Sequence, residues 1–74
     1  MRRLSEAKVG ETVKIKQVIG DSALKRRIMD MGLTNGTEIY IRKVAPLGDP
    51  MQISLRGYEL SVRKEDVQFI EIED

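Results

Sequence analysis

The stretch MQISLRGYELSV, residues 51–62, decides the fold. Met51, Ile53 and Leu55 alternate with Gln52, Ser54 and Arg56, and after a reversal at Gly57-Tyr58 the apolar side resumes with Leu60 and Val62. A period of two puts one set of side chains on a core face and the other in water, as in a half-buried strand. The Gly-containing reversal between the runs leaves no length for a crossover, so the two strands are antiparallel neighbours.

The same period extends along the chain. Upstream, an Asn35-Gly36 turn leads into a strand with Ile39 and Ile41 on one face and Tyr40 and Arg42 on the other. Further back, TVKIKQVI (12–19) sets Val13 and Ile15 against Lys14 and Lys16. Val18 and Ile19 break that alternation, which predicts a bulge or twist near Gln17. Downstream, RKED reads as a short polar turn. VQFIEIE then reads as a last strand, with Val67, Ile70 and Ile72 inward and Glu71 and Glu73 on its wet side. Near the front, LSEAKVGE reads as one helical turn started by Ser5 and closed near Gly10, with Leu4 and Val9 as anchors.

GDSALKRRIMDMGL (20–33) carries a different period. Leu24, Ile28 and Met31 recur at i, i+4 and i+7, the spacing of one helical stripe. Asp21 or Ser22 stands where an N-cap is wanted, and Gly32 where a left-handed C-terminal cap is wanted. Lys25, Arg26 and Arg27 lie off the stripe, so the outer side of the helix is basic.

These elements predict a mainly β protein: a small, SH3-like antiparallel barrel of about five strands, with one α-helix between the first and second strands and lying across one opening. Curling removes exposed strand edges from so small a sheet. Residues 1–74 read as a single domain. A chain of 74 residues buries roughly 60–65 % of its unfolded surface.

Composition narrows the function. There is no cysteine, which suits a reducing compartment, and no run approaches the roughly 20 apolar residues of a membrane span. MRRLSEAKVG has basic residues but no apolar segment of a secretory leader, so a cytoplasmic location is expected. Lys plus Arg number 13 against 12 Asp plus Glu, whereas nucleic-acid binders carry a clear basic excess. Three aromatic residues, Tyr40, Tyr58 and Phe69, are too few for a base-stacking platform, so no nucleic-acid partner is expected.

With neither histidine nor cysteine, the chain lacks the usual transition-metal ligands and the usual nucleophile and base pairs. Glu38, Asp49, Glu59, Asp66, Glu71 and Glu73 fall on predicted turns or wet faces, where nothing tunes a carboxylate for catalysis. Glu71, Glu73 and Asp74 cluster at the end without fixed geometry, so no metal site is assigned to them. GDP at 48–50 lacks the helix start and the lysine of a phosphate cradle. No cofactor and no enzymatic activity are expected.

LKRRIMDMGLTNGTEIYI, APLGDP and LRGYELSVRKED together resemble the FeoA family, over residues 4–72. The resemblance implies an SH3-like barrel and a role beside FeoB, the membrane iron transporter with a cytoplasmic GTP-binding domain. It implies a non-enzymatic accessory of bacterial ferrous iron uptake. A related domain follows the helical parts of some metal-dependent repressors. A transition-metal sensor or iron chaperone using carboxylates is the alternative, and a nucleic-acid-binding small barrel stands behind it.

Two patches are candidates for the partner contact. The first is Lys25, Arg26 and Arg27, continuing into Met29 and Leu33; Asp30 lies three residues beyond Arg27 and can neutralise part of it. The second is the loop of Pro46, Leu47, Gly48, Asp49 and Pro50 with a facing turn at Arg56, Gly57 and Tyr58. Two prolines stiffen that loop and Gly48 permits φ > 0, which pre-shapes Leu47 for a partner. The plainer readings are a solvated helix face and a rigid corner. Weak self-association through an edge strand or the Met29 and Leu33 region is also open. Gly32, Gly36 and Gly57 read as structural, at a cap and at turns.

Overall fold

The computed structural model describes residues 2–47 and 49–73. Six antiparallel strands form one sheet: β1 (Arg2–Arg3), β2 (Thr12–Val18), β3 (Glu38–Val44), β4 (Met51–Leu55), β5 (Tyr58–Val62) and β6 (Ile70–Ile72), in the order β1-β6-β2-β3-β4-β5. The strand added to the expected set is β1, two residues long, paired to β6 through Arg2↔Ile72 and Arg3↔Glu71. Helix α1 (Ser22–Asp30) still joins the strand read at 12–19 to the strand read after the Asn35-Gly36 turn, now the second and third. The RKED turn is a single helical turn, α2 (Lys64–Val67).

β2 belongs to both halves of the sheet. Thr12, Val13 and Lys14 pair with β3, while Ile15, Gln17 and Val18 pair with β6. Between Ile15↔Ile72 and Gln17↔Glu71 one residue, Lys16, has no opposite number, so a bulge sits where the broken alternation predicts it. A second irregularity, at Arg42, falls between Ile41↔Ile53 and Lys43↔Gln52. Each extra residue bends its strand and adds twist, which curls the sheet around its apolar face.

Leu4, Ile15, Ile28, Leu33, Ile39, Ile41, Ile53 and Ile70 are fully buried in that core. α1 closes over it with Ile28, and Leu24 and Met31 pack at its margin. Burying a side chain of that size stabilises by about 1.5–3 kcal/mol relative to leaving it in water. The helix starts where Asp21 Oδ1 accepts the Leu24 N–H at 2.8 Å. It ends in a Schellman motif: the Gly32 N–H donates to Met29 O at 2.9 Å and the Leu33 N–H to Ile28 O at 3.3 Å. Gly32 takes φ +91, the left-handed conformation that the motif requires.

Several local expectations change. The front turn is a 3-10 turn at Leu4–Glu6, with Arg3 rather than Ser5 in the capping position; Leu4 is buried, but Val9 is 59 % exposed and anchors nothing. The hairpin reversal is Arg56-Gly57, with Tyr58 already in β5 opposite Leu55. Arg56 and Gly57 have φ +48 and +85, as a two-residue type I′ turn demands. Glu71 is not on a wet face but fully buried, because β6 is an inner strand flanked by β1 and by the bulged part of β2. Its Oε1 accepts from Gln17 Nε2 at 2.6 Å, and its Oε2 has no partner among the described residues.

Candidate functional site

A groove of about 470 Å³ runs between the end of β2, one side of α1 and the turn that follows the helix. Gln17, Val18, Lys25, Met29, Thr34 and Asn35 line it. Val18 is buried, forming the floor, and Met29 is 53 % exposed, forming an apolar wall. A methionine this exposed on a helix whose stripe is already complete contributes surface rather than core. Lys25 stands at the rim with no carboxylate within 4.0 Å among the described residues.

The groove's far wall is held from across the molecule. Arg56 Nη2 donates to Thr34 Oγ1 at 3.3 Å and to Thr37 Oγ1 at 3.2 Å, and the two threonine hydroxyls lie 2.9 Å apart. The Tyr58 hydroxyl donates to Met31 O at 3.0 Å. Both side chains of the β4–β5 hairpin therefore fasten the segment that runs from α1 into β3. Gln17 is fixed in turn by the hydrogen bond that its Nε2 donates to the buried Glu71 carboxylate.

The predicted patches are redistributed by this geometry. Lys25, Arg26 and Met29 remain exposed on α1. Arg27 reaches Asp66 of α2 rather than Asp30, forming an ion pair that ties the two helices. Leu33 leaves the exposed patch altogether: as the residue after the helix-ending glycine it turns inward and is completely buried. Sequence reasoning missed Gln17, Thr34 and Asn35, whose side chains join Lys25 and Met29 only after the chain has folded back. The hydrophilic residue before the break at Val18 was the available signal for Gln17.

The second patch divides. The 45–50 loop follows the Val44↔Met51 pair and the Arg56-Gly57 turn follows Leu55↔Tyr58, so they sit at opposite ends of β4 and do not face one another. The loop itself is anchored. Ala45 N–H donates to Pro50 O at 3.1 Å, the Asp49-Pro50 peptide is cis, and Asp49 Oδ1 accepts the Lys64 N–H of α2 at 3.2 Å. Pro46 and Pro50 are exposed, and Leu47 projects with 89 % of its surface in water. Gly48, expected to supply the positive φ, lies outside the described residues.

Among the described residues no group of three or more Asp or Glu side chains could hold an ion, and Asp74 of the terminal acidic cluster lies outside them. No described helix is long and apolar enough to cross a membrane.

A curled antiparallel sheet with α1 over its opening defines a small domain of the SH3-like fold class. Stenotrophomonas maltophilia FeoA, solved with zinc and described as a prokaryotic SH3 domain protein, shares this fold with TM-score 0.82, at 18 % identity over 99 % of this chain and 91 % of that one. The chain belongs to the FeoA domain family, whose profile matches residues 2–74. A FeoA-like protein from Clostridium acetobutylicum is 45 % identical, with TM-score 0.88, and the match covers 96 % of this chain and 83 % of that one. An Fe(2+) transport protein A/Fe(2+) transporter FeoB fusion protein from Porphyromonas gingivalis is 38 % identical over 71 residues. That match takes in 96 % of this chain but 8 % of the fusion protein's length.

Proposed function

We propose that this chain is a single-domain, non-enzymatic, cytoplasmic accessory of ferrous iron uptake that binds the cytoplasmic part of a FeoB-type transporter. The observation that carries the reading is the fusion relative, in which a domain 38 % identical to this chain is named together with the transporter in one polypeptide. Fusion raises the effective concentration of two modules that work in contact. The residue chemistry agrees: with no histidine or cysteine the chain is poorly equipped to hold ferrous iron itself. Its exposed features are those of a contact domain: the basic, Met29-bearing side of α1 with Lys25 and Arg26, and the anchored loop that presents Leu47.

The test is co-purification of the chain with detergent-solubilised full-length transporter, followed by amide NMR titration with the isolated GTP-binding domain, nucleotide-bound and nucleotide-free. Co-elution, with shifts confined to α1 or to the 45–50 loop, is the expected result. Separation from the full-length transporter together with unmoved amides overturns the reading.

A further inference from the structure

We infer that the groove between α1, the end of β2 and the 34–35 turn receives an extended peptide segment in which an apolar side chain lies beside a carboxylate. The inference rests on the adaptor reading for its biological occupant, but its chemistry is set by the groove alone. Val18 and Met29 offer an apolar seat that water solvates poorly. Lys25 offers a cation at the rim, and no carboxylate among the described residues pairs with it. Asp21 caps the helix, Asp66 holds Arg27, and the Glu71 carboxylate is turned to Gln17. Arg26 lies on the adjoining face with Asp30, so Lys25 is the cation that lines the groove, and its charge favours an acidic ligand there.

Gln17 supplies the third element. A carboxylate only accepts, so the Glu71 contact fixes the Gln17 amide with Nε2 inward. Its Oε1 is left as an acceptor without a partner among the described residues, on a side chain that lines the groove. An extended backbone N–H is a complementary donor for it, which suits a polypeptide occupant. About 470 Å³ falls within the usual range of roughly 300–1,000 Å³ for ligand sites and admits a short run of residues. The wall is pre-organised by Arg56 and Tyr58, so little ordering is required on binding.

The probes are two peptides, acetyl-Ala-Glu-Leu-Glu-Ala-amide and its Gln-Leu-Gln counterpart, titrated into isotope-labelled chain. The acidic peptide should move the Gln17 side-chain amide and the backbone amides of Val18, Lys25, Met29 and Asn35, and should bind about tenfold more tightly than the amide peptide. Equal affinities, or shifts elsewhere, overturn the inference. Lys25→Glu with Met29→Glu, both on exposed positions, should abolish the shifts while the spectrum stays dispersed. The same double variant is then titrated with the transporter's GTP-binding domain. Wild-type binding that the variant retains refutes the groove as the contact and leaves the adaptor reading standing. If wild type neither co-purifies with the full-length transporter nor responds to its GTP-binding domain but still selects the acidic peptide, the adaptor reading fails and the groove chemistry holds.

Discussion

The Tyr58 hydroxyl donates a 3.0 Å hydrogen bond to the Met31 carbonyl, so the first residue of β5 holds the C-terminal end of α1. Gly32 makes this approach feasible. A Cβ at position 32 would meet the Tyr58 hydroxyl oxygen inside van der Waals contact. The residue that ends the helix is therefore a glycine for two reasons, its φ of +91 and its lack of a side chain.

Tyr58→Phe should lower stability by about 1 kcal/mol, the net worth of one hydrogen bond. For a domain of this size that corresponds to a fall of about 4–8 °C in Tm. Gly32→Ala should cost more, since left-handed backbone alone costs roughly 1–2 kcal/mol for a residue with a Cβ. Calorimetry on both variants and the double variant measures the coupling. The alanine should cost less when Tyr58→Phe is already in place, where no hydroxyl is displaced. Strict additivity would show that the clash is relieved elsewhere.

Much of this was readable from alternation. Residues 12–15, 38–41, 51–55 and 58–62 follow the period of two, bulges at Lys16 and Arg42 interrupting the first two strands, and α1 follows its apolar stripe and caps. What escaped were residues whose neighbours come from distant segments. Leu33 read as part of an exposed patch because it follows exposed Met29, yet a glycine-ended helix turns the next apolar residue inward. Glu71 alternates with Ile70 and Ile72, which predicts water, but an inner strand beside a bulge has no wet side there. Two residues of β1 carry too little pattern to read at all. The groove draws on β2, α1 and the 34–35 turn, and no local window contains it.

Asp49 and Leu47 separate a structural role of the loop from the proposed binding role. Asp49→Ala removes the acceptor for the Lys64 N–H at the start of α2 and should destabilise by about 0.5–1 kcal/mol, in the range of other helix-start acceptors. Leu47→Ala deletes a side chain already in water and should leave the urea midpoint unchanged. If transporter binding is also unchanged in both variants, the stiff loop is a corner and the α1 side carries the contact.

Acid should weaken the front of the molecule through Glu11. The Lys8 N–H donates to its carboxylate at 2.5 Å, and Arg2 Nη2 lies 2.8 Å from both oxygens; these contacts, the backbone one first, hold the carboxyl below the ordinary glutamate value. A folded-state pKa below the unfolded one adds stability above the unfolded value, and that stability disappears as pH falls through the folded value. Urea titrations at neutral and acid pH should therefore show a shallower acid loss in Glu11→Gln than in wild type. Parallel pH profiles for the two proteins would contradict the assignment.

Glu71 sets stability against recognition. Its Oε2 is buried without a partner among the described residues, and an ionised group so placed carries a desolvation cost that one amide contact does not fully return. Glu71→Leu keeps the side chain's approximate volume and removes that cost. Gln17, partly open to solvent, can turn its freed amide to water. The variant should unfold at an equal or higher urea concentration than wild type, whereas Glu71→Ala should be destabilised by the cavity it leaves. Binding should move the other way. Without the carboxylate, nothing dictates which end of the Gln17 amide faces the groove, so Glu71→Leu should bind the acidic peptide several-fold more weakly while leaving Lys25 and Met29 in place. A stable variant with undiminished peptide affinity would mean that Glu71 is a tolerated buried charge with no part in ordering the site.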